Sequence, residues 1–163
     1  MKKPDGIKHI LEVIVNIAES FLERESGIPV EKNASYVLCS SRFDFKPVTA
    51  LMSISGCFRM TITFSFDKAL ITKIFEVYSQ GLSFEDNDLA LHIEETAADM
   101  INIVIGNATA KLAEGGTTVQ ISAPIVIHEA NAKPLESVAL LTATLFTHFG
   151  EMMITAIPVG SSK

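Results

Sequence analysis

One stretch constrains the fold more than any other: DLALHIEETAADMINIVIGNATAKLAE, residues 88–114, closed by Gly115-Gly116. Its residue types recur with the period of an α-helix and sort into two faces. With Glu95 set at zero and ~100° added per residue, His92, Asp99, Asn102 and Gly106 all fall within ~60° of it. Leu89, Ile93, Ala97, Met100, Val104 and Ala108 fall on the opposite side. So long and two-faced a helix needs a surface to cover its apolar side. On the other side it leaves a carboxylate, an amide and a bare glycine in line.

The rest of the chain supplies that surface. Residues 7–22 keep helical spacing at Ile7, Ile10, Leu11, Ile14, Ile17, Ala18, Phe21 and Leu22, behind an expected N-cap at Asp5. This first helix is expected to end near Glu25, with Gly27 and Pro29 as stop signals. Residues 36–43 read as a weak, edge-type strand, since Ser40, Ser41 and Arg42 interrupt it. Residues 48–56 and 58–66 form a hairpin turning at Gly56. Its second arm alternates Phe58, Met60, Ile62, Phe64 and Phe66 with Arg59, Thr61, Thr63 and Ser65, the pattern of a half-buried antiparallel strand.

Asp67 then caps a shorter helix over residues 68–79, with Leu70, Ile71, Ile74, Phe75 and Tyr78 on its apolar face and Gly81 at its end. Residues 83–87 are an acidic link into the long helix. Beyond it, residues 118–127 are extended but broken at Pro124, and residues 138–146 and 152–159 make a second hairpin around Phe149-Gly150.

The order is helix, strand, hairpin; short helix; helix, strand, hairpin. It reads as a duplicated helix-plus-three-strand unit, with repeats at about residues 5–66 and 88–160 and a linker helix at 67–81, in one domain over residues 1–163. Two amphipathic helices, each with one face to cover, suit one face of a mainly antiparallel sheet, which makes the fold class α+β.

Composition closes off several function classes. The formal charge is −6, and no Lys/Arg cluster supplies the phosphate-neutralising patch that nucleic acid requires. Cys39 and Cys57 lie in strand-like runs and read as buried reduced thiols. The N-terminal helix is interrupted by Glu12, Asn16 and Glu19, so it is expected to be an amphipathic helix and not the apolar core of a signal peptide. No run approaches the ~20 apolar residues of a membrane span. A soluble, cytoplasmic protein is the expectation.

Motifs for common chemistry are absent. There is no Walker loop, no G-x-G-x-x-G, no G-x-S-x-G and no H-E-x-x-H. His9, His92, His128 and His148 show no metal-ligand spacing. The polar stripe is what is left. Asp99 and Asn102 are neighbours at i and i+3, and Gly106 follows one turn later on the same face. A glycine inside a helix costs about 1 kcal/mol relative to alanine. It is explained either by helix packing behind a solvated face or by a partner that must approach closely.

The stretch Asp99-Met-Ile-Asn102-Ile-Val-Ile-Gly106-Asn107-Ala108 resembles the signature helix of the CheC/CheX/FliY family of chemotaxis phosphatases, and is closest to CheX. That family carries E-x-x-N on an exposed helix, followed by glycine and often G-N-A. The order of helices and hairpins in the whole chain agrees with the family's CheC-like fold. The resemblance implies a phosphatase acting on the aspartyl phosphate of a CheY-like response regulator. The Asn102 amide would position a water in line with phosphorus, and Asp99 would pair with the regulator's active-site lysine. Glu95, Gly106 and His92 would help to dock the partner. It implies no cofactor of the chain's own, since Mg2+ would be held by the regulator, and it implies a homodimer. The first helix offers no second motif, because Glu12 and Asn16 are four residues apart. One site per chain is therefore expected.

The chain departs from the family at the acid: Asp99 stands where the family has Glu. The shorter side chain reaches ~1.3 Å less far, a gap that is large against hydrogen-bond tolerances. Two readings follow. One is a phosphatase with weaker or differently angled docking, with Glu95 contributing from the preceding turn. The alternative is a non-catalytic module that binds a regulator or dimerises, and burial of Asp99 and Asn102 within the chain would favour it.

Overall fold

The computed structural model describes residues 4–31, 35–39, 43–56, 59–82, 86–113, 119–132 and 140–159. Helix α1, Pro4–Ser20, runs into a π-helical turn, Phe21–Glu25. The strands β1 Ser35–Cys39, β2 Phe43–Asp44, β3 Val48–Gly56 and β4 Met60–Phe66 follow. Helix α2, Lys68–Tyr78, leads through a 3-10 turn, Asp86–Asp88, to α3, Leu89–Ala113. The chain ends with β5 Val119–Ile121, β6 Ile125–His128, β7 Asn131–Ala132, β8 Leu140–Thr147 and β9 Gly150–Pro158. The helices pack on a mainly antiparallel sheet, so the fold is α+β.

The main sheet has the order β1-β8-β9-β4-β3-β5, with β6 also paired to β3, and its pairs are antiparallel. The order is symmetric about the central β4–β9 pair. Each hairpin is flanked by the single strand from the other half of the chain: β1 pairs with β8, while β5 and β6 pair with β3. The break expected at Pro124 is real, and it lets two short strands share one partner. Strand β1 stands at a sheet edge, as its weak pattern suggested.

Cross-strand register explains the core. Phe64 faces Ala50 and Ile154, Ile62 faces Met52 and Ala156, and Phe66 faces Val48 and Met152. Paired residues share a face, so the apolar sets of four strands form one surface. Helix α1 covers it over β8 and β9 with Leu11, Ile14, Val15 and Ala18, and α3 covers it over β3 and β4 with Ala97, Met100, Ile101, Val104 and Ile105. Fully burying one such aliphatic side chain contributes about 1.5–3 kcal/mol. A Leu or Ile to Ala change at these positions is therefore disruptive.

Local expectations are corrected at Asp5, Leu89, strand β4 and Asp67. The first helix begins at Pro4, so Asp5 lies inside its first turn and is not an N-cap. Leu89 is 42% exposed, because it stands in the first turn of α3, ahead of Ile93, where the helix first meets the core. Strand β4 is buried on both faces: Thr63 is 1% and Ser65 0% exposed. It is a central strand flanked by β3 and β9, and the backbone N–H of Lys46 donates to Ser65 Oγ at 2.6 Å from the outer side. Hydroxyl pairs, Thr49–Ser65 at 2.8 Å and Thr142–Thr155 at 2.9 Å, stand in for water on that face, while the Thr63 hydroxyl finds no partner among the described residues.

Asp67 sits at the N-cap position of α2 but makes no capping hydrogen bond. Its carboxylate accepts from Lys46 Nζ at 3.0 Å and from the Glu151 N–H at 2.8 Å. Lys46 also reaches Glu151 Oε2 at 3.0 Å. This cluster fastens the end of β4 to the β8–β9 turn. Gly150, at φ +118, lies so close that a Cβ there would stand 2.8 Å from Asp67. Gly115-Gly116, Ser40 to Arg42, Cys57 and Phe58 lie outside the described residues.

Candidate functional site

Helix α3 holds the site because its inner face is committed. Ile93, Ala97, Met100, Ile101, Val104, Ile105 and Ala108 are all buried against the sheet and α1, which fixes the helix's rotation. The opposite stripe is then forced outward. Glu95, Asp99 and Asn102 are exposed, while His92 and Gly106 are partly exposed. Asp99 and Asn102 stand one turn apart on the outer face. Among the described residues, no side chain hydrogen-bonds either of them. The burial within the chain that would have favoured the non-catalytic module is not observed.

Two anchors set the helix laterally. His128 Nε2 lies 2.8 Å from Glu94 Oε1 and ties α3 to β6. The His92 ring stacks on Phe75 of α2, with centroids 5.7 Å apart and planes 2° from parallel. His92 Nδ1 also meets Glu95 Oε2 at 3.1 Å. Two members of the stripe, His92 and Glu95, are therefore joined to each other, and His92 is joined to α2 as well. Asp99 and Asn102 lie one and two turns beyond this pair and keep their polar atoms for solvent or a partner.

Gly106 settles how its own hydrogen atom is used. A Cβ built there meets nothing within 4 Å. Among the described residues the glycine is not a packing device between elements, and the space over it is open. Thr109 Oγ1 donates to the Gly106 carbonyl at 2.9 Å, a local bond that leaves the outward side clear.

The arrangement offers an amide, a carboxylate and a flat approach to both. Neither a nucleophile–base pair nor a metal cage is built around them: among the described residues no group of three or more His, Cys, Asp or Glu could hold a metal ion. An isolated amide can donate and accept hydrogen bonds while staying neutral, which suits it to orienting a water or a hydroxyl. No helix among the described residues is long and apolar enough to cross a membrane.

Sequence reasoning missed two features, a groove beside the stripe and an ion cluster at the β8–β9 turn. Ile103, 44% exposed, and Tyr78, 48% exposed, line a groove between α1 and α3. Ile103 was visible on the helical wheel as an apolar residue off the apolar side. The Lys46–Asp67–Glu151 cluster left no such trace, because its members are far apart in the chain.

Comparison with known proteins agrees with this architecture. No curated protein sequence matches the chain. Among solved structures, a chemotaxis protein CheX from Desulfovibrio desulfuricans superposes with a TM-score of 0.78 at 18% identity, over 93% of this chain and 99% of that one. A CheX–CheY–BeF3–Mg2+ complex from Borrelia burgdorferi superposes with a TM-score of 0.65 at 18% identity, over 91% of this chain and 96% of that one. Thermotoga maritima FliY gives 0.61 at 16% identity, over 96% and 91%. At such identities the likeness shows the fold. The sequence profile of the family described as Chemotaxis phosphatase CheX matches residues 48–142, which include Asp99, Asn102 and Gly106. The chain belongs to the CheX family.

Proposed function

We propose that the chain is a phosphatase for a CheY-like phosphorylated response regulator, with Asn102 positioning the attacking water and Asp99 docking the helix. The observation that carries this reading is the open stripe itself. Asn102 and Asp99 are exposed and unengaged among the described residues, and Gly106 beside them has empty space over it there. A glycine that costs about 1 kcal/mol of helix propensity and serves no internal contact is accounted for by a partner that must lie close against the helix.

The chemistry asked of this side is small. An aspartyl phosphate is an activated acyl phosphate, and its regulator holds the divalent metal. Water attacks phosphorus, the P–O bond to the aspartyl carboxylate breaks, and inorganic phosphate and the free carboxylate leave. The Asn102 amide accepts a hydrogen bond from that water and holds it in line. This is catalysis by positioning. A hundredfold acceleration needs only about 2.7 kcal/mol off the barrier.

Asp99 would meet a lysine of the regulator as a charge-assisted pair. Its shorter reach than Glu sets the helix closer to the partner or leaves room for a bridging water. Glu95, held by His92, contributes negative potential one turn away. The same reading takes residues 5–66 and 88–160 as two copies of one unit in a single domain, which the symmetric sheet order supports. It also takes the protein to be a cytoplasmic homodimer, and the free edge at β1, with Tyr36 exposed, suits that pairing.

The test is to add the purified protein to each phosphorylated response regulator of its host and follow phosphate release. Acceleration of at least one is expected. No acceleration of any would overturn the enzymatic reading and leave the non-catalytic binding module in its place.

A further inference from the structure

The groove beside the stripe has no role in the chemistry above. It measures about 550 Å³ and runs between the end of α1 with its π-helical turn and the middle of α3. Ile17, Phe21, Tyr78 and Ile103 give it an apolar floor, and Glu25 and Lys111 charge its walls. The Phe21 and Tyr78 rings stack there with centroids 6.0 Å apart. Both Ile103 and Tyr78 are nearly half exposed, although they are large and apolar. Among the described residues Lys111 makes no ion pair.

Its position relates it to the stripe. Ile103 follows Asn102 directly, and Asn107 and Lys111 lie ~7.5 and ~13.5 Å further along the helix axis. A stable protein–protein contact covers ~800 Å² on each partner, equivalent to a disc of ~16 Å radius. One helix face is too narrow to supply that area. Ile103 is turned ~100° around the helix from Asn102, so a partner seated on the stripe with a normal footprint reaches the groove at its Ile103 rim.

We propose that this groove is the second contact of the docking surface: it receives an apolar side chain of the phosphorylated response regulator, with a carboxylate of the same segment against Lys111, and thereby selects which regulator Asn102 can serve. The inference rests on the phosphatase reading of Asn102 and Asp99. The occupant follows from the lining: the apolar floor fits an apolar side chain, and the segment that carries it places an acid toward Lys111 and keeps acids away from Glu25. Buried apolar anchors of this kind dominate interface energetics, while the surrounding polar rim contributes little.

The experiment uses the full chain and the host's response regulators. Binding is measured with each regulator loaded with beryllofluoride and Mg2+, and turnover with the phosphorylated form. Ile103→Asp is expected to weaken the Kd and raise the KM at least tenfold, with kcat within threefold and the thermal midpoint unchanged. Ile103→Leu should restore binding to within twofold, and Lys111→Glu should weaken it severalfold. Asn102→Ala should do the converse, losing kcat while keeping Kd.

If Ile103→Asp leaves Kd and KM unchanged while Asn102→Ala abolishes turnover, the groove proposal is overturned and the phosphatase reading stands. If Asn102→Ala keeps full turnover, that reading falls, and the Kd of Ile103→Asp still decides the groove. If Ile103→Asp instead lowers the mass of the chain's own oligomer in light scattering and spares regulator binding, the groove is a self-association surface and the proposal is wrong. If no regulator binds the wild-type chain, both fail.

Discussion

Glu95 Oε2 sits 3.1 Å from His92 Nδ1, and the same histidine ring lies flat on Phe75. Of the two acids on the outer stripe of α3, one is thus engaged within the chain. Asp99, a turn further on, is the carboxylate left to reach a partner. The division of labour is testable. Glu95→Gln should change turnover of the phosphorylated regulator by less than threefold. Asp99→Ala should lower kcat/KM by about tenfold or more, the effect of removing about 1.4 kcal/mol or more of charge-assisted binding. Asp99→Glu restores the family's longer reach and should raise kcat/KM above wild type. Equal kinetics for Asp99→Ala and wild type would remove Asp99 from the site.

Gly106 separates stability from function. Because a Cβ there meets nothing within 4 Å, Gly106→Ala should stabilise the protein by about 0.5–1 kcal/mol through helix propensity alone. The same methyl occupies the space reserved for the partner, so regulator affinity should fall. Chemical denaturation paired with binding to the beryllofluoride-loaded regulator reads both. A variant that is more stable and binds as well as wild type would contradict the close-approach role.

The Lys46–Asp67–Glu151 cluster gives a pH signature. Burial by itself pulls the Lys46 ammonium down, but the hydrogen bonds it donates to Glu151 and Asp67, and their charges, hold it above its ordinary value. A folded-state pKa above the unfolded one contributes stability fully present below the unfolded value near ~10.4, and lost as pH rises through the folded value. Lys46→Met should therefore cost about 1–2 kcal/mol across pH 7–9, and the difference from wild type should shrink above pH ~10.4. A difference that stays constant to pH ~12 would mean that Lys46 acts through its alkyl chain only.

Thr63 is buried in the central strand with a hydroxyl that finds no partner among the described residues. Leaving a buried hydroxyl unpaired costs about 1–3 kcal/mol, and valine has nearly its shape and a higher strand preference. Thr63→Val should be neutral or stabilising by up to about 1 kcal/mol in denaturant unfolding. Thr155→Val breaks the pair with Thr142 and should destabilise. The opposite ranking would show that Thr63 is satisfied in solution.

Much of this was legible in the sequence. The two long helices, both hairpins and the break at Pro124 follow from periodicity and turn residues, since those signals are local. The outward direction of Asp99, Asn102 and Gly106 followed from the apolar positions of the same helix. What escaped had tertiary causes. Thr63 and Ser65 read as a solvent face because alternation reports chemistry, and burial here comes from the neighbours β3 and β9 and from the backbone at Lys46. Asp67 read as a cap because its place before α2 is right, but its carboxylate is taken by Lys46 and Glu151, each remote in the chain. The apolar groove beside the stripe needed the meeting of Phe21, Tyr78 and Ile103, which are brought together only by packing.

The most direct test of the central claim is the first-order rate of phosphate loss from the regulator at saturating wild-type protein, compared with saturating Asn102→Ala. A positioned water predicts an acceleration of about a hundredfold with wild type. With Asn102→Ala the rate should return to the regulator's own, while affinity for the beryllofluoride-loaded regulator is retained. An Asn102→Ala protein that accelerates the reaction as well as wild type would contradict the account.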